Sequence, residues 1–109
     1  MIYTFLRDPT TRRILEQLIE GIRCVEDLDS LIKVLKEDSN PVVVTGGDFE
    51  KGELIEIIRM IREKNPGVKI IVVTTSGQEY DRENILKNGA SEVFTKPYSP
   101  KLLVEAIRG

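Results

Sequence analysis

The sequence predicts an α/β domain in which helices cover both faces of a doubly wound parallel sheet of five strands, in the order 2-1-3-4-5. Three observations predict this class. Two runs are apolar almost throughout, at residues 42–45 and 68–75, as is typical of strands buried on both faces of a parallel sheet. Each of five strand-like runs is followed by a segment with helical periodicity. The 109 residues are enough for one hydrophobic core and too few for two.

The first two strand–helix units are delimited by capping signals. An apolar and aromatic run at residues 1–6 predicts the first strand, and it ends at Asp8-Pro9, a helix N-cap followed by proline at the first helical position. Gly21 closes the helix, whose apolar residues recur at helical spacing: Leu15, Leu18, Ile19 and Ile22. The run at 22–25 predicts a short second strand, and residues 27–36 predict a second helix.

The third and fourth units repeat the pattern around the two most apolar strands. The strand at 42–45 is followed by a helix from Glu53, which ends at residues 65–67, "NPG". Its apolar side is Leu54, Ile57, Ile58 and Ile61. The strand at 68–75 is followed by a short helix at 81–87. Both strands lack polar alternation, which indicates that neither faces water.

The fifth unit completes the architecture. Residues 92–95 predict the last strand, and Ser99-Pro100 repeats the cap-plus-proline signal that opens the last helix. The residues expected to face inward are Leu102, Leu103, Ala106 and Ile107. Because crossovers between parallel strands are right-handed, few topologies remain, and the flavodoxin-like order 2-1-3-4-5 is the leading one.

Composition excludes several classes of function. The 16 basic and 18 acidic residues give a net charge of −2, which offers no electrostatic footprint for direct nucleic-acid binding. Histidine is absent and Cys24 is the single cysteine, expected as a small core or strand residue, which argues against zinc chemistry and against any mechanism that relies on imidazole. We expect no cofactor. No apolar run approaches the roughly 18 residues of a membrane span. A cytoplasmic location is therefore the expectation.

The stretch "GGDFE" at residues 46–50 is a near-anagram of the Gly-Gly-Asp-Glu-Phe signature of diguanylate cyclases. In that signature the order is Asp-Glu-Phe, and the signature belongs to a hairpin of a larger fold. Here the stretch follows a predicted parallel strand, and short motifs have a high false-positive rate. We therefore interpret it as a loop in which glycines allow unusual backbone angles.

Functional side chains of this fold gather where the parallel strands end. The stretches concerned are 6–8, 45–48, 74–76 and 95–97. The chain resembles the receiver domain of bacterial two-component response regulators over nearly its whole length. The resemblance lies in these stretches together with "KIIVVTT", "NGASEVFTKPY" and the register of "GELIEIIRMIREKNP". The resemblance implies a signalling domain that is not an enzyme, with a cis peptide bond at Lys96-Pro97.

The resemblance also implies an acidic pair after the first strand, which holds a divalent metal, and a phosphoacceptor aspartate after the third strand. Leu6 and Arg7 stand at the positions of the acidic pair, and Thr45 stands at the acceptor position. The aromatic switch residue, three positions before Lys96, is Val93. We therefore predict a degenerate phosphoacceptor pocket without a metal, made by Arg7, Asp8, Thr45, Asp48, Thr74 and Lys96.

The favoured interpretation is a pseudo-receiver that acts through protein contacts without phosphorylation. The resemblance implies a contact or homodimer face on the fourth helix, fifth strand and fifth helix, with Tyr80, Phe94, Tyr98 and Leu103. For the pocket we expect Lys96 to pair with Asp48 or Asp8, and a further hypothesis pairs Arg7 with Asp48. We expect residues 1–109 to form one domain. A further hypothesis is that this domain is the N-terminal regulatory part of a longer regulator.

Two alternatives stay open. In one, the domain is still phosphorylated at Asp48, three residues beyond the usual position, with Asp8 as one metal ligand. In the other, it senses a small anion or nucleotide with Gly46, Gly47, Thr74 and Lys96. A response to beryllofluoride with magnesium distinguishes the first, and thermal shifts with nucleotides and phosphate distinguish the second.

Overall fold

The computed structural model describes residues 1–46, 49, 51–74 and 82–109, with Lys51 described only by its backbone. Five strands alternate with five helices along these residues. In chain order they are β1 (Ile2–Leu6), α1 (Pro9–Leu18), β2 (Arg23–Cys24), α2 (Leu28–Glu37), β3 (Val42–Gly46), α3 (Lys51–Lys64), β4 (Lys69–Thr74), α4 (Arg82–Lys87), β5 (Glu92–Thr95) and α5 (Pro100–Arg108). Thr75 and Asp81, predicted at element ends, lie outside the described residues.

The strands form one parallel sheet in the order β2-β1-β3-β4-β5, which confirms the predicted topology. At the carboxyl ends of the three central strands, Gly46 lies opposite both Leu6 and Val73. The strand ends therefore meet at one edge of the sheet, where α1, α3 and α5 begin. This edge carries the candidate site.

A hydrophobic cluster fills each face of the sheet because side chains alternate along each strand. One face packs against α2, α3 and α4, and its largest fully buried residues are Leu31, Leu35, Ile58, Ile61, Ile70 and Ile85. The other face packs against α1 and α5, with Leu6, Leu15, Ile19, Val44, Ile71, Val73, Leu103 and Ile107. Burial on both faces explains why β3 and β4 are nearly all apolar.

Two residues predicted on the apolar side of a helix, Leu102 and Leu18, are instead exposed. Leu102 is 56% exposed, because one residue turns a helix by about 100° and Leu103 is the residue that faces the sheet. Leu18 is 46% exposed and is the last residue of α1, since Ile19 already has extended backbone angles. Cys24 lies on a strand as predicted, but it is exposed on the two-residue edge strand β2 and does not belong to the core.

Arg62 of α3 connects two loops, α3–β4 and α4–β5, by hydrogen bonds to three backbone carbonyls. Its Nε and Nη2 donate to the Gly89 oxygen at 3.2 and 2.6 Å, and its Nη1 donates to the oxygens of Pro66 and Val68 at 2.8 and 2.5 Å. Burial lowers the pKa of the Arg62 guanidinium. The planar fork of arginine is what allows one side chain to reach all three carbonyls.

We expect Arg62→Lys to lower the free energy of unfolding by about 2 kcal/mol, because a lysine ammonium cannot hold three carbonyls of different direction. Urea unfolding measures the change. The matched control is Arg59→Lys on the exposed side of the same helix, which is expected to stay within about 0.5 kcal/mol of the parent. Equal stabilities of the two variants would contradict the role given to Arg62.

Within the described residues, no helix is both long enough and apolar enough to cross a membrane.

Candidate functional site

The site lies at the carboxyl edge of the sheet, where the structure brings together residues distant in the sequence. Asp8 follows β1, Thr45 ends β3 beside Gly46, Thr74 ends β4, and Lys96 follows β5. Asp8 and Lys96 are 88 positions apart and form an ion pair. Gly47 and Asp48, also predicted for this site, lie outside the described residues.

Asp8 is the central residue of this edge and is only 6% exposed. It caps α1, since its Oδ1 accepts a hydrogen bond from the backbone nitrogen of Thr10 at 3.0 Å. Its Oδ2 accepts from the Thr11 hydroxyl at 2.6 Å and from the ammonium of Lys96. Every contact that a buried carboxylate needs is thus supplied by the protein itself. Of the two partners predicted for Lys96, the structure shows Asp8.

The position of Lys96 is set by the backbone around it. Its amide nitrogen donates to the carbonyl oxygen of Thr74 at 2.9 Å, which extends the pairing of β4 and β5 by one residue. The Lys96-Pro97 peptide bond is cis, as the resemblance implied. The ion pair with Asp8 shows that the side chain of Lys96 crosses from the end of β5 toward the start of α1.

Tyr98, predicted only for the contact face, also joins this network. Its hydroxyl donates to the Thr11 hydroxyl oxygen at 3.2 Å, and Thr11 in turn donates to Asp8. Tyr98 is half-buried against the α1 and α5 side of the sheet. The one available signal was that Thr11 stands three residues after the N-cap, where a side chain can reach back to the cap.

Arg7 points away from Asp8 and makes a bidentate ion pair with Glu53 of α3. Its Nη1 and Nη2 donate to the two carboxylate oxygens, each at 3.0 Å. The guanidinium carbon also lies 4.5 Å from the ring centroid of Phe49, in cation–π geometry. Arg7 and Glu53 are both exposed, so screening by water keeps this pair weak. The hypothesis that Arg7 pairs with Asp48 involves a residue outside the described ones.

The two threonines at the site are satisfied within the sheet. Thr45 is fully buried, and its hydroxyl donates to the carbonyl oxygen of Phe5 on β1 at 2.7 Å. The Thr74 hydroxyl lies 3.2 Å from the hydroxyl of Thr95 and 3.5 Å from the carbonyl oxygen of Phe94. Both hydroxyls therefore serve neighbouring strands.

Gly46 has a φ of +123°, a backbone angle that favours glycine. This agrees with the prediction that glycine allows unusual backbone angles here. A Cβ atom at this position would lie 2.1 Å from the carbonyl oxygen of Val73 on β4. Only glycine therefore fits where β3 and β4 approach at the site.

The resemblance implies a magnesium ion, and the described residues do not fit one. Within ranges 1–46, 49, 51–74 and 82–109, no three carboxylate, thiol or imidazole side chains are grouped to hold a metal. Magnesium prefers oxygen ligands. Arg7 brings a cation to one implied ligand position, Leu6 is buried in the core at the other, and Asp8 already binds Lys96.

The predicted contact face is only partly as expected. Phe94 and Tyr98 are half-buried and line a groove of ≈ 490 Å³ with Arg82, Val93, Thr95, Ser99 and Leu102. Leu103 is fully buried, because it lies on the side of α5 that faces the sheet, and it is replaced on this face by Leu102. Tyr80 lies outside the described residues.

Val93, at the position where the resemblance implies an aromatic switch residue, is 5% exposed within the cluster on the α2–α4 side of the sheet. Its carbonyl oxygen accepts a hydrogen bond from Nη1 of Arg82 at 3.1 Å. A large aromatic ring can alternate between a rotamer in the core and a rotamer in solvent. The small, rigid side chain of valine cannot alternate in this way.

Comparison with known proteins identifies the family of this chain. A family model of the response regulator receiver domain matches residues 7–108. The phosphate regulon transcriptional regulatory protein PhoB of Escherichia coli K12 is 31% identical over 85 residues, which are 76% of this chain and 37% of PhoB. This chain thus spans little more than a third of that relative's length.

Solved structures share the fold. A response regulator from Thermotoga maritima has a TM-score of 0.80 at 22% identity, with 98% of this chain and 92% of that chain covered. An atypical orphan response regulator, described as having a phosphorylation-independent regulatory mechanism, has a TM-score of 0.74 at 18% identity, with 99% and 92% covered. Because the family model matches residues 7–108, which include all five helices and every strand except β1, the chain belongs to the response regulator receiver domain family.

Proposed function

We propose that this domain is an atypical receiver that signals through protein contacts and no longer takes up a phosphoryl group. The observation that carries the proposal is the state of Asp8, the acidic residue after β1. Its carboxylate is bound by Lys96 and Thr11 and caps α1, while the preceding residue, Arg7, is paired with Glu53. A metal ion at this edge would have to displace Lys96 from Asp8, and it would be repelled by the positive charge of Arg7.

The chemistry of phosphoryl transfer supports the same conclusion. Receivers need a carboxylate nucleophile that becomes an acyl phosphate and a metal that neutralises developing charge. Thr45 offers a neutral hydroxyl that is fully buried and already donates to the Phe5 carbonyl. A threonine hydroxyl is a weak nucleophile without an adjacent base, and none of the described residues provides one. Nucleophile and metal ligands are therefore lost together.

The atypical orphan regulator with the same fold is said to be regulated independently of phosphorylation. It supports the proposal as an example that this fold can signal in that way, since its 18% identity to this chain shows the fold alone.

The contact face we propose is the groove of α4, β5 and α5. Leu102 is 56% exposed at its edge, and Phe94 and Tyr98 contribute half-buried aromatic rings. Aromatic residues in partly desolvated positions are typical of protein interfaces. The occupant is a partner protein, an effector domain or a second copy of this chain. Since the PhoB relatives are longer, residues 1–109 also suit the regulatory part of a longer regulator, which we retain as a proposal.

The test is a proton–nitrogen NMR titration with magnesium and then with beryllofluoride. We expect the amide resonances of Asp8, Thr45, Gly46, Thr74 and Lys96 to stay unchanged, because Asp8 is engaged by Lys96 and Thr45 cannot bind a phosphoryl mimic. A receiver that carries the acidic pair and the acceptor aspartate serves as the positive control in the same buffer.

Shifts confined to those residues would contradict the proposal and make Asp48 the leading acceptor, with Asp8 released from Lys96 to bind the metal. The alternative of an anion or nucleotide sensor receives no support from the described contacts. The Lys96 ammonium is bound to Asp8, and the Thr74 hydroxyl faces Thr95.

A further inference from the structure

A second groove lies on the other half of the molecule, between the start of α2 and the exposed side of α3. Its volume is ≈ 400 Å³, within the roughly 300–1,000 Å³ typical of binding sites. The floor is apolar and consists of Phe5, Leu28, Phe49, Ile57 and Met60. The rings of Phe5 and Phe49 pack with centroids 5.4 Å apart, and Met60 is the most exposed residue of the floor at 38%.

Acidic side chains surround this floor. They are Glu26 and Asp27 before α2, and Glu53 and Glu56 on α3. Among the residues that the structure describes, Arg7 is the one basic residue that lines the groove, and its guanidinium is held by Glu53. Neither Glu26 nor Glu56 forms an ion pair within the part of the chain that the structure describes. The rim therefore presents an excess of exposed negative charge above an apolar floor.

From this arrangement we propose that the α2–α3 groove binds a basic amphipathic segment of a partner protein. An apolar side chain of the segment packs on the floor beside Met60, and flanking lysine or arginine residues pair with Glu26 and Glu56. This helix-in-groove mode uses apolar anchors for affinity and opposite charge for orientation and association rate. The same charge disfavours nucleic acids, nucleotides and anionic lipid surfaces.

The groove is separate from the face proposed for signalling. Its walls are α2 and α3, which cover one face of the β2-β1-β3 half of the sheet, whereas the signalling face is built on β5 at the opposite edge. The inference thus adds a second interaction surface and does not depend on the loss of phosphorylation.

The probe is a fluorescent peptide of leucine and lysine at helical spacing, and its counterpart has glutamate in place of lysine. We expect fluorescence anisotropy to show binding of the lysine peptide that is at least about tenfold tighter than that of the glutamate peptide and weakens at high salt. Amide NMR shifts on titration with the lysine peptide are expected at Glu26, Leu28, Glu56 and Met60.

Two variants of α3 make the test specific to the groove. Glu56→Lys is expected to weaken binding of the lysine peptide about tenfold, because it reverses a charge on the rim. The control Glu63→Lys makes the same charge change on the exposed surface of the same helix, outside the groove, and is expected to change affinity less than about twofold. Met60→Ala is expected to weaken binding without any change of net charge.

Three results would overturn the proposal. The first is no binding of the lysine peptide, and the second is an equal loss of affinity in Glu56→Lys and Glu63→Lys, which would mean unspecific attraction to an acidic protein. The third is a concentration-dependent dimer, seen by sedimentation, that Glu56→Lys abolishes, since a second copy would then occupy the groove. Variants of the signalling face such as Leu102→Ala should leave peptide binding intact.

Discussion

Replacing Gly46 by alanine is expected to lower the free energy of unfolding by about 3 kcal/mol or more. At a φ of +123° a residue with a Cβ atom is strained regardless of space. In addition, the new Cβ would lie 2.1 Å from the carbonyl oxygen and 2.9 Å from the nitrogen of Val73. These are backbone atoms of a fully buried central strand, so β3 and β4 would have to separate to relieve the clash.

Gly52→Ala is the matched control for this prediction. Gly52 lies in α3, and a Cβ atom there would meet nothing within 4 Å. Since alanine is favoured over glycine in helices by about 1 kcal/mol, this variant should be as stable as the parent or more stable. Urea unfolding of both variants gives the comparison. A Gly46→Ala protein within about 1 kcal/mol of the parent would show that the β3–β4 contact yields more easily than its geometry implies.

The fold was predictable because several independent signals in the sequence agree. Each signal depends only on residues that are neighbours in the sequence. The signals are the apolar runs of β3 and β4, the helical spacing on α3, and the capping pairs Asp8-Pro9 and Ser99-Pro100. Errors arose where tertiary packing decides between adjacent apolar residues. In α5, Leu102 and Leu103 are equally hydrophobic, and only the angle at which the helix meets the sheet determines which one is buried.

The site was less predictable, because its contacts join elements far apart in the chain. The meeting of Asp8 and Lys96 followed from parallel topology, which brings the ends of β1 and β5 to one edge. The Arg7–Glu53 pair spans 46 positions and depends on how α3 is rotated about its axis, which local periodicity gives only approximately. The Tyr98–Thr11 hydrogen bond depends on the path of α5 across α1.

The second large effect is expected at Asp8. Asp8→Ala should lower the free energy of unfolding by about 2–4 kcal/mol, because it removes the N-cap of α1 and leaves Lys96 without its partner. The side chain of Lys96 is 32% exposed and can turn partly toward water, which keeps the cost below that of a fully buried unpaired charge. Thr11 is only 1% exposed, and its hydroxyl also loses the carboxylate that accepts its hydrogen bond.

Urea unfolding of a small set of variants separates the two contributions. Asp8→Asn keeps an oxygen for the cap and loses the charge, so its loss of stability reports mainly the pair with Lys96. Arg7→Ala, at the neighbouring exposed ion pair, is the control and should cost about 1 kcal/mol or less. In a double-mutant cycle, Asp8→Ala and Lys96→Ala should couple by about 1–3 kcal/mol.

An Asp8→Asn variant as stable as the parent, with no coupling to Lys96, would mean that the ion pair contributes nothing to folding. Asp8 would then be free to exchange Lys96 for a metal at little cost, and the principal reason for proposing that this receiver no longer uses phosphoryl chemistry would fail. A strong coupling has the opposite consequence. The stability of the domain would then depend on the contact that excludes the metal, so restoring a metal site would require the fold to be stabilised elsewhere.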